Sequence, residues 1–354
     1  MNKRLNPLFA FTLTALISFT MLSCNGSGKK ENDDEGSTPS PSTEMTLKER
    51  ILSAGELVVG VEPDAPPIYF EDGDIKQGFD YELIKHISKQ VFDNLTISTR
   101  ETGYDDLPGL LAEDKIDIMA GGRTDDDRNG ELYSEPYLSY GYCIVTKTTN
   151  AKKYTDLNSI KNARIGVYDD YAATWVKQNA KGATISILGD REDENTPESD
   201  WMKGLLNNEV DVIIYDYPFA SNEVVDYKGV TITSKNLNEN EPNEYVLVLN
   251  SKIPGADELM EEINKAIQSF KESPDYSDAV AKYIPNTGGT TTAPDLDLNN
   301  AYIVQKGETL SIIAKNHLGD PMRYQEIYEL NKKWLASADI IYPGQALVKP
   351  AGWK

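Results

Sequence analysis

The chain has 354 residues, with 35 Lys and Arg against 57 Asp and Glu, a formal charge of −22 and a pI near 4.5. An acidic surface of this kind repels a phosphate backbone, which excludes nucleic acid as a partner, and the length leaves room for two or three folding units. Only two histidines are present, too few for a histidine-rich metal site and little material for a nucleophile–histidine pair.

Lys3 and Arg4 precede the apolar run Leu8 to Met21, which ends at Leu22-Ser23-Cys24, so residues 1–24 read as a secretory signal with Cys24 as the lipidated residue. The mature chain then keeps Cys143 as its one thiol and has no internal disulfide. Residues 25–45 are rich in Gly, Ser, Pro, Lys and acid and too poor in apolar groups to repay ordering entropy, so they read as a flexible acidic tether. Within it, Lys29 to Glu35 reads either as a surface-export signal or as a solvated charged linker.

From residue 46 to 284 apolar strands alternate with amphipathic helices, which calls for largely parallel sheets covered on both faces. Leu57 to Val61 is a strand, Tyr81 to Phe92 a helix with Leu83, Ile84, Ile87 and Val91 on one face, and Leu107, Leu110 and Leu111 begin a short helix. Ile116 to Ala120 is a strand running into Gly121-Gly122-Arg123 and a polar loop that ends at Arg128. Glycines admit backbone N–H groups to an anion, and a guanidinium matches a carboxylate bidentately. A β-rich crossing near Tyr140 to Thr146 opens a second α/β set: Arg164 to Val167, a helix through Trp175, Thr184 to Leu188, Met202 to Leu206, and Val210 to Tyr215. Tyr245 to Leu249 and an amphipathic helix carrying Leu259, Ile263, Ala266, Ile267 and Phe270 bring the chain back. Cys143, inside the β-rich run, reads as a buried small apolar residue. Pro285 to Pro294 opens a second flexible linker, 285–300.

Three spaced stretches carry a resemblance. Asp117, Ala120, Gly121, Arg128, Ser134, Pro136 and Tyr137 match a strand–loop signature, preceded by Leu57 to Val61, Pro66-Pro67 and Gly78-Phe79-Asp80, and followed by Val210 to Pro218. In this order they resemble the periplasmic solute-binding proteins of amino-acid importers. The resemblance implies a bilobed, type II α/β fold with two hinge crossings, lobe 1 at about 46–142 and 242–284 and lobe 2 at about 143–241. It also implies an Arg128 that holds a ligand's carboxylate and an Asp216 that holds its ammonium, with an ABC permease as a partner. The bottom-up alternatives are a surface ion pair of Arg128 with Asp126 or Asp127, and a helix cap at Asp216.

Departures from that pattern concern the ligand. Arg123 replaces the usual threonine, the Arg128-to-Tyr133 spacing is one residue short, Ala65 stands where an aromatic stacks, and Asp170-Tyr171 replaces Gly-Thr. With Glu62 standing where a ligand-contacting acid can occur, the candidate ligand residues are Glu62, Tyr69, Gly121, Arg123, Arg128, Asp170, Tyr171 and Asp216, with Tyr171 or Tyr69 as the missing aromatic face. They call for a ligand of more charge or larger size than an apolar amino acid. Alternatively, Asp125 to Asp127 neutralise Arg123 and the site binds nothing.

The tail, 301–350, resembles a LysM domain through Tyr302 to Leu310, Ile312-Ile313-Ala314, Trp334, Ile340 to Gln345 and Leu347-Val348. That implies a small β-α-α-β fold that binds peptidoglycan between Gly307, Glu308, Thr309, Leu310 on one side and Ile341, Tyr342, Pro343 on the other. The expected protein is an envelope lipoprotein, lipid-anchored to a membrane, that captures an amino acid or related zwitterion without catalysis, cofactor or metal. The alternatives are a muropeptide-binding wall sensor or recycling protein, and a lyase or wall hydrolase using paired carboxylates. His86 and His317 read as helix-surface positions, and the loop Asp190 to Asn195 as solvated surface.

Overall fold

The computed structural model describes residues 44–189, 200–286, 296 and 300–354. The signal segment with Cys24, nearly all of the tether, the loop Asp190 to Asn195 and most of the second linker lie outside the described residues. The fold is α/β, with two lobes and a small C-terminal domain.

Lobe 1 opens with a helix that periodicity missed because only two of its residues are buried. This is α1 (Leu47–Ala54), where Thr46 and Glu49 satisfy each other's backbone at the N-terminus and Gly55 ends the helix in the left-handed region. The rest of the lobe's first pass is β1 (Glu56–Val61), the hairpin β2 (Phe70–Asp72) and β3 (Ile75–Gln77), α2 (Phe79–Val91), β4 (Thr96–Glu101), α3 (Leu107–Ala112), β5 (Ile118–Arg123), β6 (Glu131–Tyr133) and β7 (Leu138–Tyr140). Lobe 2 holds β8 (Tyr142–Lys147), β9 (Arg164–Val167), α4 (Asp170–Asn179), β10 (Thr184–Ile187), α5 (Asp200–Leu206), β11 (Val212–Asp216), α6 (Tyr217–Val224) and β12 (Val230–Ser234). The chain returns to lobe 1 through β13 (Asn243–Asn250), α7 (Ala256–Lys271) and α8 (Pro274–Tyr283).

In lobe 1 the strand order is β4-β1-β5-β13-β6, with β7 also on β13. Strands β4, β1 and β5 run parallel, whereas β13 is antiparallel to β5, β6 and β7. Lobe 2 repeats the plan as β10-β9-β11-β8-β12, with β8 antiparallel to both neighbours. The two crossings are Gly141, between β7 and β8, and the segment from Lys235 to Pro242, between β12 and β13. Ligand-facing loops of such sheets leave the carboxyl ends of the parallel strands.

Strand β5 begins two residues later and runs three residues further than its apolar run predicts. Asp117 anchors its start, its carboxylate accepting from Val58 N at 2.8 Å and its own N–H donating to Val58 O at 2.8 Å. Both glycines then lie within the strand with positive φ, Gly121 at 93° and Gly122 at 68°. Gly78 shows why glycine precedes α2: φ is 118°, and a Cβ there would meet Ile68 O at 2.1 Å.

Helix α7 packs against α2, burying Leu259, Ile263, Ile267 and Phe270, at roughly 1.5–3 kcal/mol for each large side chain removed from water. Lobe 2 buries Ile144, Ile165, Val167, Val212 and Ile214 on one sheet face. On the other face, the lobe 2 side chains join a continuous apolar cluster with lobe 1, and Cys143 is one of its buried members.

The tail is built from β14 (Tyr302–Ile303), α9 (Leu310–Leu318), α10 (Tyr324–Asn331) and β15 (Ala346–Leu347), with β14 antiparallel to β15. It encloses its own core of Val304, Leu310, Ile313, Ile327, Leu335 and Leu347. Yet Ala336, Ile340 and Tyr342 belong to the cluster that runs through the lobes. No helix among the described residues is long and apolar enough to cross a membrane.

Candidate functional site

The glycine pair within β5 is already occupied by a carboxylate of the chain itself. Asp80, in the first turn of α2, accepts from Gly121 N at 2.7 Å and Gly122 N at 3.1 Å through one oxygen, and from the Tyr137 hydroxyl at 2.6 Å through the other. The N–H groups expected to reach a ligand's anion are therefore spent on the scaffold. Burial pushes the Asp80 carboxyl up to about 6, against three donors that hold it down. Asp80 was visible in the Gly78-Phe79-Asp80 match but was not read as a site residue.

The arginines of the following loop converge on one acid. Arg128 Nη2 lies 3.0 Å from Asp126 Oδ2 and Arg123 Nη2 lies 3.6 Å from the same oxygen, while Thr124 holds the other oxygen at 3.0 Å. Arg123 is 1% exposed, its guanidinium 3.8 Å above the Tyr104 ring with Nη1 donating to Tyr104 O at 3.0 Å. Its Nε has no partner among the described residues. Arg128, by contrast, is 40% exposed at the side chain. The ion pair with Asp126 that the sequence left open for both arginines is the one found.

In lobe 2, Asp216 ends β11 and stands at the N-cap position of α6 without capping it. Its carboxylate instead accepts from Asn243 Nδ2 at 3.4 Å and from the Tyr140 hydroxyl. Desolvation, with repulsion from Asp169 second, pushes it up to about 7. Among the described residues no lysine or arginine pairs with it. Tyr140, Tyr142 and Tyr245 all feel its charge, and Tyr140 and Tyr245 lie ring against ring at 4.3 Å. Tyr142 in turn packs on Trp175 at 5.0 Å. A carboxylate ringed by aromatic side chains is suited to an ammonium or guanidinium group.

The remaining expected residues are placed as follows. Glu62 is half-buried just beyond β1, its backbone N near enough to Gly121 that a Cβ on the glycine would stand 3.3 Å from it. Tyr69 is not an open aromatic face. Its ring is 1% exposed against Tyr81, and its hydroxyl donates to Glu71 at 2.8 Å and Glu101 at 3.1 Å, because the β2–β3 hairpin folds it into lobe 1. Tyr171 is 76% exposed in the first turn of α4, and Asp170 is exposed beside it. It is Asp169, one residue earlier, that couples to Asp216, while its side chain accepts from Ala172 N at 2.8 Å and closes the N-terminus of α4. Asp169, Tyr140, Tyr142, Tyr245 and Asn243 escaped the sequence reading. Three of them flank the crossings, a position that periodicity does not mark.

Neither histidine contacts these residues. His86 on α2 contacts Ser269 Oγ at 3.2 Å, and His317 on α9 stacks on Trp353 at 4.8 Å. Both are packed rather than freely solvated. Cys143 is buried in β8, and burial pushes its thiol far above the usual range.

In the tail, the expected glycan residues are mostly committed. Thr309 caps α9 by accepting from Ile312 N at 3.3 Å, and Glu308 accepts from the Tyr302 hydroxyl at 2.7 Å and from Gln305 N at 2.7 Å. Leu310 is 1%, Ile341 4% and Tyr342 6% exposed, whereas Pro343 is open and Gly307 half-open.

Two α/β lobes joined by two crossings define a type II bilobed solute-binding fold. The chain belongs to the bacterial extracellular solute-binding proteins, family 3, whose family model matches residues 57–286, and a LysM domain matches residues 302–350. It is 24% identical over 252 residues to a probable ABC transporter extracellular-binding protein, YckB, of Bacillus subtilis, covering 68% of this chain and 79% of that one. It is 25% identical over 179 residues to a membrane-bound lytic murein transglycosylase F of Idiomarina loihiensis, covering 50% of this chain and 38% of that one. Among solved structures, an ancestral cationic amino acid solute-binding protein aligns with a TM-score of 0.56 at 21% identity, covering 68% of this chain and all of that one. The last likeness shows the fold.

Proposed function

We propose that the chain is an exported envelope protein that captures an amino acid or related zwitterion by closing its lobes, and that attaches to peptidoglycan through its LysM domain. The observation that carries this reading is Asp216, a carboxylate held between tyrosines and raised to about 7 with no basic partner among the described residues. A ligand ammonium supplies the missing counter-charge. Arg128 and, behind it, Arg123 offer the opposite charge to the ligand's carboxylate, which then competes with Asp126 for them. Glu62 and Asp169 add acid to the cleft, which favours a ligand with a second cationic group.

The role is binding, and the protein does no chemistry on its ligand. Cys24 would carry a lipid, placing the chain at a membrane and facing the periplasm or cell surface, and an ABC permease would receive the closed form. A thermal-shift screen of the full chain against amino acids, short D- and L-peptides and muropeptides tests the reading, since a ligand that binds only the folded state raises its melting temperature. A shift with an amino acid that disappears in Asp216→Ala supports capture. No shift with any of them sinks it.

A second reading, a wall-fragment sensor or recycling protein, rests on the LysM domain and on the transglycosylase relative. Shifts with muropeptides alone would select it. Release of wall fragments by the purified chain would instead make it an enzyme.

A further inference from the structure

Both walls of the expected LysM groove touch the binding lobes, the first at an exposed edge and the second in a buried contact. On the first wall, Lys306 Nζ lies 3.6 Å from Asp278 Oδ1 on α8, and a Cβ added at Gly307 would stand 3.3 Å from Pro274 Cβ at the start of that helix. The second wall is bound more tightly. Tyr342 donates its hydroxyl to Ile284 O at 2.9 Å, at the end of lobe 1, and meets the Tyr217 hydroxyl of lobe 2 at 3.3 Å. Ile340, beside it, is 0% exposed within the shared apolar cluster.

The contact also reaches the second crossing and β7, the strand that leads into the first. Asp339 pairs with Lys271 of α7 at 2.9 Å, both largely buried, and accepts from Ser139 N at 2.8 Å in β7. Tyr328 on α10 donates to Glu239 O at 3.3 Å, and Lys332, just past that helix, reaches Asn240 Oδ1 at 2.9 Å, both acceptors on the crossing between β12 and β13. A groove residue, a lobe 2 residue adjacent to Asp216, strand β7 and the second crossing thus share one interface. A glycan strand cannot lie over Tyr342 while that hydroxyl and ring are inside it.

We propose that the LysM domain is an autoinhibitory brace: docked, its groove is closed by the chain's own α8, Ile284 and Tyr217, and a β-1,4-linked N-acetylglucosamine chain binds only the undocked form. Wall binding and bracing of the second crossing are mutually exclusive. The apparent affinity for glycan is then lowered by the fraction of molecules that are docked, and any change that weakens the dock raises it. By linkage, glycan must in turn displace the brace. This rests on the glycan-binding reading of the LysM domain, and the experiment separates the two.

The probe is hexa-N-acetylchitohexaose, titrated calorimetrically into the full chain and into two variants altered on the lobe side, outside the cleft and groove. Lys271→Glu sets like charges against Asp339, and Asn240→Lys, at an exposed position, sets like charges against Lys332. Both variants should bind the hexamer about tenfold more tightly than the unaltered chain. Carbodiimide should join Lys271 to Asp339 in the unaltered chain, and saturating hexamer should suppress that cross-link. Equal affinity in all three proteins with undiminished cross-linking overturns the competition and leaves glycan binding standing. No binding by any of the three overturns both. If Lys271→Glu fails to fold, Asn240→Lys and the cross-link decide.

Discussion

The two lobes carry candidate ligand residues of opposite charge and settle that charge in opposite ways. Lobe 1 neutralises its arginines within its own loop, Arg123 and Arg128 sharing Asp126, before any ligand arrives. Lobe 2 leaves Asp216 beside a second acid, Asp169, with hydrogen bonds and aromatic rings but no basic partner among the described residues. A ligand carboxylate on lobe 1 therefore exchanges one anion for another, at little net gain. A ligand ammonium on lobe 2 relieves a repulsion and a desolvated charge at once. In the proposed complex, affinity resides at Asp216 and selection among ligands at the arginines.

The largest expected effect follows from removing that acid. Asp216→Ala should weaken amino-acid binding at least about 100-fold by calorimetry, in line with the ~3–5 kcal/mol lost when one partner of a buried pair is deleted. An unchanged affinity would move the ammonium elsewhere. The ligand-free protein should respond in the other direction. Because the carboxyl of Asp216 is raised above its unfolded value, to about 7, the folded state binds more protons and stability falls as pH rises through that window. Asp216→Asn should therefore melt several degrees higher than the unaltered chain at pH 8, with the gain vanishing at pH 4.

Next in size is the pH dependence of binding itself. A cationic ligand requires the ionised carboxylate, so affinity should rise with pH up to about 7 and level off above it. Below that value the slope should approach about tenfold per pH unit, with proton release visible as a buffer-dependent heat. A flat profile between pH 5.5 and 8 would mean that Asp216 is ionised without the ligand, and the asymmetry between the lobes would disappear.

On lobe 1 the effects are smaller, and the two substitutions differ in sign. Arg128→Ala should cost about tenfold, because the side chain is 40% exposed and already paired, and the exchange it makes is worth roughly 1–1.5 kcal/mol. Asp126→Asn should strengthen binding of a carboxylate ligand, by freeing both guanidinium groups. Weaker binding in that variant would mean that Asp126 positions the arginines rather than competing with the ligand.

The same asymmetry explains what could be read from sequence. Both lobes and the tail were legible because buried strands such as Val212 to Tyr215 and the stripe of α7 print their environment as apolar periodicity. Arg128 and Asp216 were legible only through resemblance to a family pattern. The neutralisation of Arg123 was foreseen as an alternative from the adjacent acids, because those lie within three residues of it. Asp80 under the glycines was not, since its partners are 41 and 42 residues away and nothing local marks a carboxylate that will be buried. The ring around Asp216 was hidden for the same reason, Tyr140, Tyr245 and Asn243 meeting only where the crossings run side by side. Nor could the docked LysM face be read, because Ile340 and Tyr342 look alike whether they line a groove or an interface.

The smallest expected effect sharpens the comparison most economically. Sequence offered Tyr171 as the aromatic face over the ligand, yet it stands 76% exposed, while Tyr140, Tyr142 and Tyr245 already surround the acid. If those three form the aromatic wall, Tyr171→Ala should change affinity by less than about twofold, the range usual for an exposed side chain without a defined partner. A tenfold loss would show that closing the lobes carries α4 over the ligand and that Tyr171 seals it there. Lobe 2 would then supply the lid as well as the counter-charge, and lobe 1 would contribute little beyond selection.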